Sequence, residues 1–266
     1  MISDYHMHTV LCKHADGTVQ EYAETAVRKG LLEICFTDHC PTPGNYDLTN
    51  RMLLSQFPEY TQMVRSVQAS AKIPILYGIE ADYYPDCEEF LCDWLPEQGF
   101  DFVLGSVHYI KDWAFDDPRM ISIWRSANVE QAWREYFKLV AELAKTGMYD
   151  SLAHPDLPKK FGYRPSDAVV SEIVQPALDA IAEAGMCIEI NSSGLRKKVN
   201  EIYPSPTMLA LARQRNIPIT FGSDSHSPEE VGSSFDLSLK LAKDAGYTQF
   251  ARFRNRQRTM HPLPID

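Results

Sequence analysis

His6 and His8, in DYHMHT, and Asp224 and His226, in GSDSH, share one spacing at nearly opposite ends of the chain. On a strand, residues two apart leave the same face, so each pair can grip one ion. Between them come His14 in CKHADG, His39 in FTDHCP, Glu80 in LYGIEAD, His108 in LGSVHY and His154 in SLAHP. Taken singly, several of these have an ordinary reading. An HxH pair can arise by chance among eight histidines, His14 reads as a surface residue, and His108 and His154 read as satisfied core histidines. Glu80 is different, because an ionised carboxylate closing a strongly apolar run is costly unless it is paired or metal-bound. Such a carboxylate can also bridge two cations held ~3.5–4 Å apart. Nine nitrogen and oxygen ligands without a thiolate suit Zn, Mn or Fe, and nine are too many for one ion. Two or three divalent cations are expected.

Seven short apolar segments could bring these residues together: 2–6, 33–38, 73–80, 101–107, 149–153, 187–191 and 217–223 read as buried parallel strands. Helical periodicity between them, as over 20–29, 129–145, 167–184 and 207–215, gives an alternating β, α order and hence a parallel sheet. Connections entering the strands are tight. Those leaving them, 40–51, 111–128, 155–166 and 192–206, are long and carry Pro, Gly, Asn, Asp and aromatic residues, as functional loops do. Ligands and long loops both fall at the carboxyl ends of strands, the face on which α/β barrels build active sites. Six of the seven strands deliver His, Asp or Glu there, and the seventh delivers Asn191, a residue able to support a ligand from behind. Asp38, beside His39, is expected to orient the His39 imidazole. His261 matches no strand end.

A chain of 266 residues, 44% hydrophobic, without repeat, low-complexity run or linker, is expected to be one α/β domain over 1–266. Its start, MISDYHMHT, has neither the basic nor the apolar region of a secretory signal, and no run of eighteen apolar residues follows. A cytoplasmic protein with no membrane partner is expected. The six cysteines form no CxxC pair and read as reduced packing thiols. With 26 basic against 36 acidic residues, the net charge of −10 opposes binding to a nucleic-acid backbone. Arg252, Arg254, Arg256 and Arg258 alternate with other residues and read as a salt-bridged face of a final strand. The oligomeric state is not legible.

The ordered series DYHMHT, CKHADGTVQEYAETAVRKGL, FTDHCP, GIEADY, GSVHY, AHPDL, EINSSG and GSDSH resembles the polymerase and histidinol phosphatase (PHP) family, and within it the bacterial histidinol-phosphate phosphatase type. The likeness runs from about residue 1 to about residue 258. It implies a distorted (β/α)7 TIM-like barrel with a trinuclear centre. His6, His8, Glu80 and Asp224 would hold the first metal, Glu80 with His108 and His154 the second, and His14, His39 and His226 the third. No position of that pattern is missing. The implied activity is hydrolysis of L-histidinol phosphate to L-histidinol and phosphate, a step of histidine biosynthesis.

On such a cluster, water bridging two cations loses a proton near neutral pH, and the hydroxide attacks phosphorus in line with the leaving alkoxide. Glu80, Asp224 and His226 are expected to serve this catalysis, with Arg196 adding a bidentate contact to the growing charge. Arg164, Lys159 and Lys160, in the loop after His154, are further candidates for the substrate phosphate. Asp47, Asp82, Asp112, Asp116, Tyr46, Tyr109, Trp113 and Phe115 could meet the ammonium and imidazole of histidinol phosphate at the mouth. Two alternatives stay open: another phosphoesterase of the family, acting on a sugar phosphate, nucleotide or diester, and a metal-bound sensing or assembly protein without turnover. Lys111, if it were a ligand, would turn the reading toward amide or lactone hydrolysis.

Overall fold

The computed structural model describes residues 1–44 and 46–265. Helix α1 (Val19–Arg28) leads to β1 (Ile34–Phe36), α2 (Phe57–Gln68) to β2 (Ile75–Asp82), and α3 (Glu88–Glu97) to β3 (Phe102–Ser106). A small antiparallel hairpin, β4 (Tyr109–Ile110) with β5 (Trp113–Ala114), follows, then α4 (Ile121–Trp124), α5 (Val129–Lys145) and β6 (Ser151–Leu152). Helices α6 (Asp167–Ile173) and α7 (Gln175–Glu183) precede β7 (Cys187–Asn191), and α8 (Pro206–Gln214) precedes β8 (Ile219–Gly222). The chain ends with α9 (Phe235–Asp244) and a hairpin of β9 (Gln249–Arg254) and β10 (Gln257–Pro262). The main sheet has the order β1-β2-β3-β6-β7-β8, and every pair in it is parallel.

The segment expected as a first strand, 2–6, forms no regular ladder. Its backbone bonds alternate between two neighbours: Cys35 N donates to Asp4 O (2.8 Å) on the β1 side, and Tyr5 N donates to Phe221 O (2.9 Å) on the β8 side. Isolated bridges join Asp4 to Ile34 and Met7 to Ser225. The segment therefore fills the gap between the sheet's two edges as a seventh stave, which makes the sheet a distorted (β/α)7 barrel. The stretch 167–184 is also not one helix. It breaks at Val174, because Pro176 lacks an N–H and is tolerated only in the first turn of a new helix, α7.

Helices bury one stripe each against the outside of the barrel. In α1 the stripe is Val19, Tyr22, Ala23 and Ala26, and the helix starts at a reciprocal cap between Thr18 and Glu21. Inside the barrel, Tyr5, Leu76, Phe102, Leu104 and Ala153 form a separate apolar cluster with Ala251 and Phe253 of β9. The ring centroids of Tyr5 and Phe102, and of Phe102 and Phe253, are 5.0 Å apart. The β9–β10 hairpin thus plugs the amino end of the barrel and leaves the carboxyl end for chemistry. Its arginines hold it there. Arg252 and Arg254 pair with buried Glu33, Arg256 pairs with Asp150 (2.6 Å) and Arg258 donates to Gly185 O (2.6 Å). All six cysteines are unpaired, and five are buried. Among the described residues no helix is long and apolar enough to cross a membrane.

Candidate metal centre

The carboxyl end of the barrel brings the nine expected residues together. His6 and His8 leave the same face of the first stave, and Asp224 and His226 that of the segment after β8. Asp4, fully buried, anchors the latter by accepting Ser223 N and Gly232 N, each at 2.9 Å. Glu80 of β2 lies in the middle. His6 Nε2 is 3.5 Å from Glu80 Oε2 and 3.6 Å from Asp224 Oδ1, and His8 Nε2 is 3.7 and 3.2 Å from the same two atoms. Ligand bonds of about 2.0–2.2 Å in a tetrahedron set donor atoms roughly 3.3–3.6 Å apart, so these four atoms have the separations of a coordination shell. Glu80 Oε2, His6 Nε2 and His8 Nε2 are buried and have no hydrogen-bond partner, as atoms aimed at a cation would. The other oxygen, Oε1, is 3.1 Å from His154 Nε2 and 3.7 Å from His108 Nε2.

A third group lies on the opposite side of His8. His14 Nδ1 donates to Cys12 O (2.8 Å) and His226 Nδ1 to Asp224 O (3.0 Å), which leaves their Nε2 atoms facing each other at 3.0 Å. Two lone pairs so close repel unless a positive charge sits between or beside them. His39 departs from the expected grouping in one respect: its Nδ1 reaches Glu80 Oε2 at 2.9 Å, so it stands between the third group and the bridging carboxylate.

Behind the ligands stands a row of buried carboxylates. Glu189 accepts His6 Nδ1 on Oε1 (2.9 Å), and on Oε2 it accepts His154 N (2.8 Å) and Asn191 Nδ2 (2.9 Å). Gly222 is required beside it, since a Cβ there would lie 1.8 Å from Glu189 Oε1. Asp82 accepts His108 Nδ1 at 2.9 Å. Asp38 accepts the backbone N of His39 at 2.7 Å but turns its charge toward the ring of His8, whose Nδ1 is 3.5 Å away. Glu189 and Asp82 each fix the proton on one ring nitrogen and free the other for a metal, whereas His8 Nδ1 has no hydrogen-bond partner. Sequence spacing gave no role to Glu189, although the signal that marks Glu80, an acid amid Ile188 and Ile190, is present there too.

Charge and backbone both indicate a site built for cations. Burial pushes the Glu80 carboxyl up, but His39 and His6 overcome it and hold it well below the usual range, and Asp224 behaves alike through His6 and His8. His14 is pushed down to about 4 by burial and by His39 and His8, and burial with His8 lowers His226 far below its ordinary value. Burial pushes His6, His8 and His108 down as well, but the carboxylates facing them outweigh it and raise His6 well above its ordinary value, His8 to about 9 and His108 to about 10, so a divalent ion binding here would displace imidazole protons. His154 and Asp224 also hold left-handed backbone, with φ of 27° and 52°, a strain of about 1–3 kcal/mol each that clusters at functional positions.

The centre opens into a cavity of about 230 Å³ that continues into an outer one of about 490 Å³. Lys160 and Lys197 line both. Lys160 pairs with Asp116 at 2.9 Å, and burial lowers the Lys197 ammonium from its ordinary value. The other expected phosphate contacts are corrected by the geometry. Arg196 donates to the carbonyls of Ser223 (2.8 Å) and Asp224 (3.1 Å) and pairs with Glu230, so it braces the Asp224 loop instead of facing the cavity. Lys159 is fully buried between Asp156 (3.0 Å) and Glu201 (2.8 Å), and Arg164 pairs with Asp167 and Glu201; neither lines the two cavities.

Of the expected mouth residues, Asp47, Tyr109 and Asp116 line the outer cavity. Asp82 and Phe115 are buried, Tyr46 stacks on Tyr84 (4.0 Å), Trp113 packs on Trp124 (4.6 Å), and Asp112 is exposed outside it. Lys111 points to solvent beside Glu135 (3.7 Å) and is not a bridging ligand.

Known proteins share this arrangement of chain. The PHP domain profile matches residues 4–193, and a PHP-associated profile matches 208–235. A Deinococcus radiodurans protein named probable histidinol-phosphatase is 40% identical over 96% of this chain and 98% of its own length. The histidinol-phosphatase of Bacillus subtilis is 29% identical over 89% of this chain and 98% of its own. The crystal structure of histidinol phosphate phosphatase from Lactococcus lactis, complexed with zinc, L-histidinol and phosphate, superposes with a TM-score of 0.84 at 26% identity, covering 97% of this chain and all of that one.

Proposed function

The chain belongs to the PHP domain family, and from that membership we propose that it is a divalent-metal-dependent phosphomonoesterase that hydrolyses L-histidinol phosphate to L-histidinol and phosphate, a step of histidine biosynthesis. The observation that carries the reading is the shell around Glu80: four donor atoms at coordination spacing, three of them buried without a hydrogen-bond partner. The Lactococcus lactis protein of the same fold binds zinc, L-histidinol and phosphate.

His6, His8, Glu80 and Asp224 would hold one ion, Glu80 with His108 and His154 a second, and His14, His39 and His226 a third; zinc, manganese and iron all suit these donors. Bound divalent cations supply charge for the phosphate oxygens and acidify the attacking water. The chain's own groups do the rest. Glu189 and Asp82 keep the imidazoles of His6 and His108 turned inward. Lys160 and Lys197, on the cavity wall, contribute positive charge to phosphate oxygens that the cations do not reach. In the outer cavity Asp47 and Asp117 complement the substrate ammonium, and Tyr109 offers a face to its imidazole. Residues 1–266 act as one domain in this reading, because Asp224 and His226, in the PHP-associated part, complete a site otherwise drawn from the PHP part. The partner is a small phosphate ester, and the net charge of −10 disfavours a nucleic-acid polymer.

The test is steady-state phosphate release from L-histidinol phosphate beside a panel of sugar phosphates, nucleotides and a diester. The reading expects kcat/KM for histidinol phosphate to exceed the others by roughly a hundredfold or more, the lower bound being what apolar complementarity alone achieves. Equal or better turnover of a nucleotide or sugar phosphate overturns the substrate and leaves the metal chemistry, whereas no phosphate from any ester overturns the enzyme.

A further inference from the structure

The loop between β1 and α2 carries a cation that the hydrolytic site does not use directly. Arg51 is 1% exposed. Its Nη2 donates to Asp82 Oδ2 at 2.8 Å and Asp47 Oδ2 at 3.0 Å, and its Nη1 to the Cys40 carbonyl at 3.1 Å. The guanidinium lies 4.9 Å from the Tyr46 ring centroid, and the Tyr46 hydroxyl donates to the same Asp82 Oδ2 at 3.0 Å. The other oxygen of Asp82 accepts Ser106 Oγ and His108 Nδ1, both at 2.9 Å.

Desolvating a guanidinium and two carboxylates gains little over an apolar plug of equal size, so a buried pair of this kind is poor evidence of a stability device. Its geometry is specific instead. Four donors from two parts of the chain, Tyr46 and Arg51 in one loop and Ser106 and His108 at the end of β3, fix Asp82 in one rotamer, and that rotamer receives the Nδ1 proton of His108. The His108 Nε2 lone pair is then directed at Glu80. Asp47, gripped by the same Nη2, forms part of the wall of the outer cavity.

We propose that Arg51 is a positioning residue: by locking Asp82 it holds the His108 imidazole with Nε2 turned to the metal centre, and through Asp47 it ties the wall of the outer cavity to that ligand. This rests on the reading of His108 as a metal ligand. Lysine cannot replace it, because one ammonium on a flexible stem does not span Asp82, Asp47 and the Cys40 carbonyl together.

The experiment measures metal per chain over time after the loaded protein meets excess EDTA, for wild type, Arg51→Met, Arg51→Lys and the control Tyr60→Phe. Tyr60 bonds the carbonyls of Phe36 and Gly78, so its loss weakens the same two strands without touching Asp82. Removing a support of a metal ligand costs roughly 10–100-fold in affinity or activity, so one equivalent should leave Arg51→Met at least tenfold faster than wild type. Arg51→Lys should fall between, with kcat lowered in parallel, and Tyr60→Phe should melt lower yet keep wild-type metal loss. If Arg51→Met does not fold, Arg51→Lys carries the comparison. Metal loss at the wild-type rate in a folded Arg51 variant overturns the proposal. Because no substrate is present, poor turnover of histidinol phosphate would count against the substrate assignment alone, while a wild-type chain that binds no divalent ion overturns this proposal together with the site.

Discussion

Replacing Glu189 by Gln changes one atom and no volume, yet the structure predicts a large effect. Three donors converge on its two oxygens: His6 Nδ1 on Oε1, and His154 N with Asn191 Nδ2 on Oε2. A glutamine presents one acceptor and one donor. With its oxygen toward His6, the new NH2 meets the amide hydrogens of His154 and Asn191; flipped, it meets the proton of His6. Either way a buried donor is opposed, at a cost of about 1–3 kcal/mol, and in the flipped state the His6 tautomer is lost. Outer carboxylates of this kind contribute roughly 10–100-fold to metal affinity, equivalent to about 1.4–2.7 kcal/mol. Competition with a chromophoric chelator should therefore show the ion held by His6 bound at least tenfold more weakly, and kcat should fall with its occupancy. Metal affinity within twofold of wild type, in a variant that melts normally, would refute the claim that Glu189 orients His6 and His154.

Glu80→Gln should lose metal and activity together, since its two oxygens face different ligand groups, and full activity at normal metal content would sink the site as described. Lys197→Met should raise KM for histidinol phosphate and lower kcat/KM roughly tenfold or more, as loss of a charge-assisted contact does, with metal content by mass spectrometry unchanged. At the other end of the barrel, burial raises the Glu33 carboxyl, but hydrogen bonds from Arg252, Tyr5 and Arg254 outweigh it and leave it below its ordinary value. A group depressed on folding stabilises the protein above its unfolded pKa, and that contribution is lost as pH falls through the folded one. Denaturant melts of the wild type should thus weaken as pH drops below about 4.5, and Glu33→Gln should flatten that part of the profile.

The metal ligands are legible because an apolar run marks each strand end, and after His39, His108 and His154 a long loop adds a second mark. His6, His8, Glu80, Asp224 and His226 carry the first mark alone. His14 lacks both, being in a loop, and only the set of ligands assigns it a role. Supporting residues were harder, because their function depends on which neighbour faces them across the barrel. Glu189 lies inside a strand, where alternation alone does not say that His6 is opposite. Asp82 reads as a loop residue, but β2 continues to it, and a period of two puts it on the same inward face as Glu80. Arg196 departs from its expected place for a local reason: the short helix Ser192–Arg196 turns its guanidinium toward Glu230, and the chain presents the next residue, Lys197, to the cavity. The barrel's order of strands and helices followed from periodicity, whereas the broken ladder of the first stave reflects two edges it must serve at once.

The most direct test of the account strips the protein of metal, restores zinc, manganese or iron in steps, and follows metal per chain together with phosphate release from L-histidinol phosphate. The account predicts no turnover without metal and turnover that rises with occupancy to a plateau at two or three ions per chain. Full turnover in the metal-free protein, or a saturated centre that leaves histidinol phosphate intact, would contradict it.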